Sequence, residues 1–182
     1  MTSGEWAFGT PTGAGGTGSG GSGNADPSAG ATGSNVFGVN LSGNASSSTG
    51  GPFYLTTTSM NLSQRKNTRL RFKRWLNANA LANARMTVEV SSDGVSWREV
   101  FVNPGTAITD SSWQIMEYDI SSLADRQATV LVRWGYQNIS TAGSYAGWNI
   151  DDVELLGDSI AQFQLAFADS VVESGAAITG TV

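Results

Sequence analysis

From Asn35 onward the chain alternates apolar and polar residues with a period of two, the pattern of half-buried strands rather than helices. The pattern predicts strands over 35–41, 52–57, 68–76, 85–91, 96–102, 113–120, 127–136 and 147–156. Leu70 and Phe72 share one face while Arg69, Arg71 and Lys73 take the other, and Met86, Val88 and Val90 alternate with Thr87, Glu89 and Ser91. Between two such runs, Ser92-Asp93-Gly94 supplies the Asp-Gly signal of a hairpin turn. No segment holds a helical period for more than a turn or two. The expected fold class is therefore all-β: an antiparallel β-sandwich of jelly-roll type, with two packed sheets. It should occupy residues 1–157, with residues 158–182 adding one or more extra strands.

Upstream, Gly9 to Gly23 is a Gly/Thr/Ser tract too poor in apolar groups to pack by itself. Composition favours a flexible surface loop there over a loop folded around an ion. Across the 182 residues only 14% are charged and the net charge is −5, which leaves no broad basic surface for nucleic acid or anionic lipid. No apolar run is long enough for a membrane span, so no membrane insertion is expected. The Gly/Ser/Thr/Asn bias points to a secreted, extracellular or cell-surface protein. Met1-Thr2-Ser3-Gly4 lacks the basic and apolar regions of a signal peptide. Met1 is therefore expected to be an added start on a piece of a larger chain, with neighbouring domains as partners. The chain contains neither Cys nor His, which removes thiolate and imidazole chemistry and leaves only hard, oxygen-liking cations as metal candidates.

Two sets of residues carry candidate chemistry. In Gly147-Trp148-Asn149-Ile150-Asp151-Asp152-Val153, strict alternation sends Asp151 and Asp152 to opposite faces, so one carboxylate should point into the core. A buried carboxylate needs compensation by an Arg, by backbone N–H donors, or by a cation, for which Ca²⁺ is the choice. The second set is aromatic. Trp134, Tyr136 and Trp148 fall on core faces, whereas Tyr145 sits in a polar, glycine-flanked loop and is expected to be exposed. Trp75 falls on the Arg71/Lys73 face. Tyr145, Trp75 and Arg74 together form the expected sugar-binding patch. Sequential carboxylates facing apart cannot flank one glycosidic bond, and a Ser nucleophile would lack its His base, so no enzymatic activity is expected.

Beyond these readings, Trp6-Ala7-Phe8-Gly9-Thr10-Pro11, then Val90-Ser91-Ser92-Asp93-Gly94-Val95-Ser96-Trp97 and finally Gly147-Trp148-Asn149-Ile150-Asp151-Asp152-Val153 resemble the MAM-like jelly-roll modules appended to bacterial secreted peptidases and glycosidases. The resemblance spans roughly residues 5 to 156. It implies a carbohydrate-binding or spacing role and a structural cation joining the N-terminal segment to the Asp-Asp strand. Carried onto this chain, the ligand pool is Glu5, Asp26, Asn40, Asp151 and Asp152. The long Gly9 to Gly23 tract departs from the family pattern. Farther on, Phe163-Gln164-Leu165-Ala166-Phe167 and Val171-Val172-Glu173 resemble the opening of a Calx-beta-like repeat; the other reading is a last edge strand of the same sandwich. The resulting expectation is a non-catalytic, Ca²⁺-stabilised module binding carbohydrate or a surface glycan. Its rival is a structural spacer or a strand-exchanging assembly unit.

Overall fold

A computed structural model describes residues 4–16, 21–141 and 143–160. Each of the eight expected strands is present, and four short strands join them. In chain order the elements are β1 (Trp6–Gly9), β2 (Gly21–Ser22), β3 (Val36–Val39), β4 (Gly50–Thr56), β5 (Arg65–Ala78), β6 (Ala84–Ser91), β7 (Arg98–Val102), β8 (Ile108–Thr109), β9 (Gln114–Asp119), a one-turn helix α1 (Ser121–Ala124), β10 (Leu131–Asn138), β11 (Ser144–Tyr145) and β12 (Gly147–Ser159). A six-stranded sheet runs β1-β3-β12-β5-β8, with β9 also paired to β5, and a four-stranded sheet runs β4-β10-β6-β7. Both are antiparallel; only the small β11-β2 pair is parallel.

The alternation seen in the sequence becomes the core between the sheets. Leu70, Phe72 and Leu76 from β5, Trp148 and Ile150 from β12, Met86, Val88 and Val90 from β6, and Val132 and Trp134 from β10 are all buried. Phe72 and Trp134 meet edge to face with ring centroids 5.4 Å apart, bridging the two sheets. Burial of each such side chain stabilises the fold by about 1.5–3 kcal/mol. The β6–β7 connection is longer than a two-residue turn, because Ser91 and Asp93 fold it locally. The Asp93 carboxylate accepts N–H bonds from Val95 and Ser96 at 2.8 and 2.7 Å, which lower its pKa to about 2.

Strict alternation fails at one place, in β12. Asp151 pairs with Lys73 and Glu154 with Arg71, so three steps on β12 match two on β5. Asp152 takes φ 48° there, the mark of a β-bulge. Trp148 and Ile150 face the core before the bulge, and Leu155 packs toward it afterward. This corrects the expectation that one Asp must enter the core: the extra residue absorbs the phase change, and both carboxylates stay half-buried.

Candidate functional site

Two outer faces are available, and the chain covers one of them itself. On the six-stranded sheet, Asn149 and Asp151 of β12 point away from the core and the segment 21–35 lies across them. Asn24 donates its backbone N–H to Asn77 Oδ1 at 2.7 Å, Trp75 Nε1 donates to the Ala25 carbonyl at 3.0 Å, and Asn149 Nδ2 donates to Asp26 Oδ1 at 2.8 Å. The described part of the Gly9 to Gly23 tract is bound rather than free. Thr12 donates its N–H to the Leu41 carbonyl at 2.9 Å, and Asp26 donates to the Gly15 carbonyl at 3.1 Å. A Cβ on Gly15 would stand 2.2 Å from Asp26 Oδ2, so only glycine permits the approach. Composition alone could not reveal these bonds, because it does not record which loop residues the fold brings against the tract.

The expected ligand pool separates into three places. Asp151 Oδ2 accepts N–H bonds from Ala31 and Thr32 at 2.8 and 3.2 Å, and Thr32 Oγ1 donates to Asp152 Oδ1. Backbone N–H donors and a hydroxyl therefore serve the Asp-Asp pair, and the expected joint site with Asp26 is not formed. Glu5 Oε2 accepts the Ser46 N–H at 2.8 Å, and Asn40 Nδ2 donates to the Asn44 carbonyl. Of that pool, Asp26 is the buried acid. Its Oδ2 and the neighbouring Asn149 Oδ1 have no hydrogen-bond partner, and burial raises its carboxyl pKa to about 7. Asp26 Oδ2 and the Gly43 carbonyl both lie within 3 Å of the point a Gly15 Cβ would occupy, at 2.2 and 2.8 Å. The orphaned Asp26 Oδ2 and a backbone carbonyl meeting at a glycine cradle are the kind of oxygen donors a hard cation takes, whereas Asn149 Oδ1 lies against Gly38 instead. Asn149 was not in the expected ligand pool, although its place two residues before Asp151 on the same face was visible in the sequence.

The expected sugar patch also changes. Trp75 does lie on the outer face, edge-on to Trp113 at 5.8 Å. Tyr145 is half-buried rather than exposed, with Gly23 and Gly143 against its ring. Arg74 is on the other side of β5, because adjacent strand positions face apart. Its guanidinium makes two bonds to Asp110, at 2.9 and 3.1 Å, and its side chain is only 12% exposed. Arg74 thus does not join Trp75 and Tyr145.

The outer face of the four-stranded sheet is uncovered among the described residues and carries a different arrangement. The Arg133 guanidinium carbon sits 3.9 Å from the centre of the Tyr54 ring and 4.0 Å from that of Trp97. Glu89 Oε2 accepts from Arg133 Nε and Nη2 at 2.9 and 2.6 Å, and Thr87 Oγ1 donates to Glu89 Oε1 at 2.7 Å. A Cβ on Gly135 would stand 2.5 Å from Thr87 Oγ1 and 2.9 Å from the Tyr54 ring, so Gly135 lets Tyr54 lie close over the sheet. Beside the stack, Pro52, Arg85, Glu99 and Gln137 help line a polar depression of about 180 Å³. The sequence did carry a signal for this site: Arg133 interrupts Val130-Leu131-Val132 and Trp134 on the outward phase of β10.

No family model matches the chain, and no curated protein matches it. Among solved structures, a CBM61 module in complex with β-1,4-galactotriose is 18% identical, with a TM-score of 0.37 over 58% of this chain; the chain spans 63% of that structure's length. The K3 cleaved adhesin domain of Lys-gingipain from Porphyromonas gingivalis is 15% identical, with a TM-score of 0.47 over 83% of this chain and 91% of that one. The CBM22-2 xylan-binding domain of Paenibacillus barcinonensis Xyn10C is 10% identical, with a TM-score of 0.42 over 87% of this chain and 91% of that one. Each score is below 0.5, so the assignment of function rests on the chain's own residues.

Proposed function

We propose that this protein is a non-catalytic, extracellular carbohydrate-binding module, and that the sugar lies on the outer face of the four-stranded sheet against Tyr54 and Trp97. One observation carries the reading: two aromatic rings are held on either side of a guanidinium that Glu89 fixes in place. Aromatic faces take the C–H surface of a pyranose ring, while fixed polar groups beside them select its hydroxyls. Glu89 engages Nε and Nη2 of Arg133 and leaves Nη1 for a ligand hydroxyl. Gln137, Arg85 and Glu99 in the adjoining depression supply further donors and acceptors. Both guanidiniums are paired with carboxylates, which favours a neutral glycan over an anionic one.

Affinity electrophoresis against a panel of soluble polysaccharides, galactan and xylan among them, tests the reading. Retardation by at least one neutral polysaccharide, lost in both Trp97→Ala and Tyr54→Ala, is the expected result. Absence of retardation on the whole panel would overturn it in favour of a structural spacer.

Ca²⁺ belongs to the same proposal as a structural ion. Asp26 Oδ2 and the Gly43 carbonyl would hold it, with Asn40 in the same loop as Gly43 and Glu5 bonded to Ser46 farther along that loop. The ion would neutralise the buried carboxylate and clamp segment 21–35 to the loop that carries Gly43. With one carboxylate among neutral oxygens, the site should bind Ca²⁺ more weakly than carboxylate-rich sites do.

A further inference from the structure

The stack of Trp97, Arg133 and Tyr54 adjoins a depression that continues along the strands. The outward positions of β10 run Arg133, Gly135, Gln137, and beside them in register on β6 stand Glu89, Thr87 and Arg85. The middle of this row, Gly135 and Thr87, is short and buried. The edge strands carry larger groups, Pro52 and Tyr54 from β4 on one side and Glu99 from β7 on the other. Tyr54 belongs to both parts, since its ring packs on Arg133 and also lines the depression. At the far end, the Gln137 side-chain amide is half-buried and makes no hydrogen bond among the described residues. Arg85, directly across from it, pairs with Glu99 through Nη2 alone, which leaves Arg85 Nε and Nη1 and Glu99 Oε2 uncommitted.

We infer that this depression is a second sugar subsite, so that a neutral, extended glycan lies along β10 instead of across the sheet and is held through at least three consecutive units. The inference rests on the sugar-binding reading and adds the ligand's length and direction. Arg133 and Gln137 are four residues apart on β10, about 13 Å, which is more than one pyranose ring spans. A sugar seated on Trp97 and Tyr54 alone would leave the Gln137 end untouched. The walls on β4 and β7 oppose a chain crossing the strands at the depression, whereas nothing bulky interrupts its long axis between Tyr54 and Gln137. An amide offers a donor and an acceptor together, the pairing that neighbouring hydroxyls of one sugar unit require. The Arg85–Glu99 pair cancels its own charge, so the subsite suits an uncharged unit, as the stack does.

Isothermal titration calorimetry with β-1,4-linked galacto-, xylo-, gluco- and manno-oligosaccharides, from the disaccharide to the hexasaccharide, tests it. In at least one series, affinity should rise about tenfold between the disaccharide and the tetrasaccharide, the net worth of one or two hydrogen bonds. Gln137→Ala should cancel that rise and leave the disaccharide affinity as it was. Because the amide holds nothing inside the protein, the variant should melt as the unsubstituted chain does. In the unsubstituted protein, the Gln137 side-chain amide resonances should shift with the tetrasaccharide and stay in place with the disaccharide. A rise that survives in Gln137→Ala would overturn the inference while the sugar reading stands, the chain then running across the strands. Equal affinity at every length would also overturn it, leaving a single subsite at Trp97 and Tyr54. Binding by none of the four series would overturn both.

Discussion

On the six-stranded sheet, Asp26 sits in the covering loop and faces Asn149 with one carboxylate oxygen unpartnered. On the four-stranded sheet, Glu89 is about as buried but is held by Arg133 and Thr87. The contrast separates two uses of one kind of surface. A face closed by a loop leaves its acid unpaired, so the carboxyl holds its proton to a higher pH unless an ion balances the charge. A face that balances its own charge can stay open and present its aromatic rings. The lone acid is thus the place proposed for an ion, and the paired acid the place proposed for a sugar.

The largest expected effect breaks the paired side. Glu89→Ala strands the Arg133 guanidinium in a half-buried site and should lower stability by about 3 kcal/mol, read by urea unfolding. Asp26→Asn should do the reverse in EDTA, raising stability because it removes a buried unpaired charge; a large loss there would erase the contrast. Adding Ca²⁺ to the unsubstituted protein at about a hundred times its Kd should stabilise it by about 2.7 kcal/mol, Mg²⁺ should do less, and Asp26→Asn should abolish the gain in a thermal melt.

The pH dependence sharpens the same point. Burial holds the Asp26 carboxyl at about 7, above its ordinary 3.8. Between those values the folded, chelated protein keeps a proton that the unfolded chain has lost. That stability is fully present below pH 3.8 and is lost as pH rises through the folded value, so chelated protein should melt lower at about pH 8 than at about pH 5.5. Saturating Ca²⁺ should remove this fall, because the ion favours the ionised form. The smallest effect is expected from Trp97→Ala, which should abolish sugar retardation while changing stability by about 1 kcal/mol or less, the usual scale of a partly exposed cation–π contact.

The strands were legible because a period of two records which face each residue takes. Leu70, Phe72, Val88 and Trp134 are buried as that rule requires. The candidate sites were less legible, for reasons that differ by residue. Asp151 and Asp152 were misplaced because alternation cannot announce a bulge. Arg74 was grouped with Trp75 although neighbours on a strand face apart, and its partner Asp110 lies in a loop that no periodicity describes. Asp26 and Asn149 meet only through a bond spanning the length of the domain. Tyr54, Trp97 and Arg133 come from three separate parts of the chain, and only the pairing of β10 with its neighbours brings them together.

The bulge at Asp152 has a consequence for how this sequence can vary. It lets Ile150 and Leu155, five positions apart, both face the core. Because Asp152 is the extra residue, deleting it would leave those two side chains four positions apart on one regular strand, both still inward, whereas one more residue beside it would turn Leu155 toward water. An insertion there should therefore be far more harmful than one in the loop after β6, and the strand should tolerate loss of the extra residue better than gain of another.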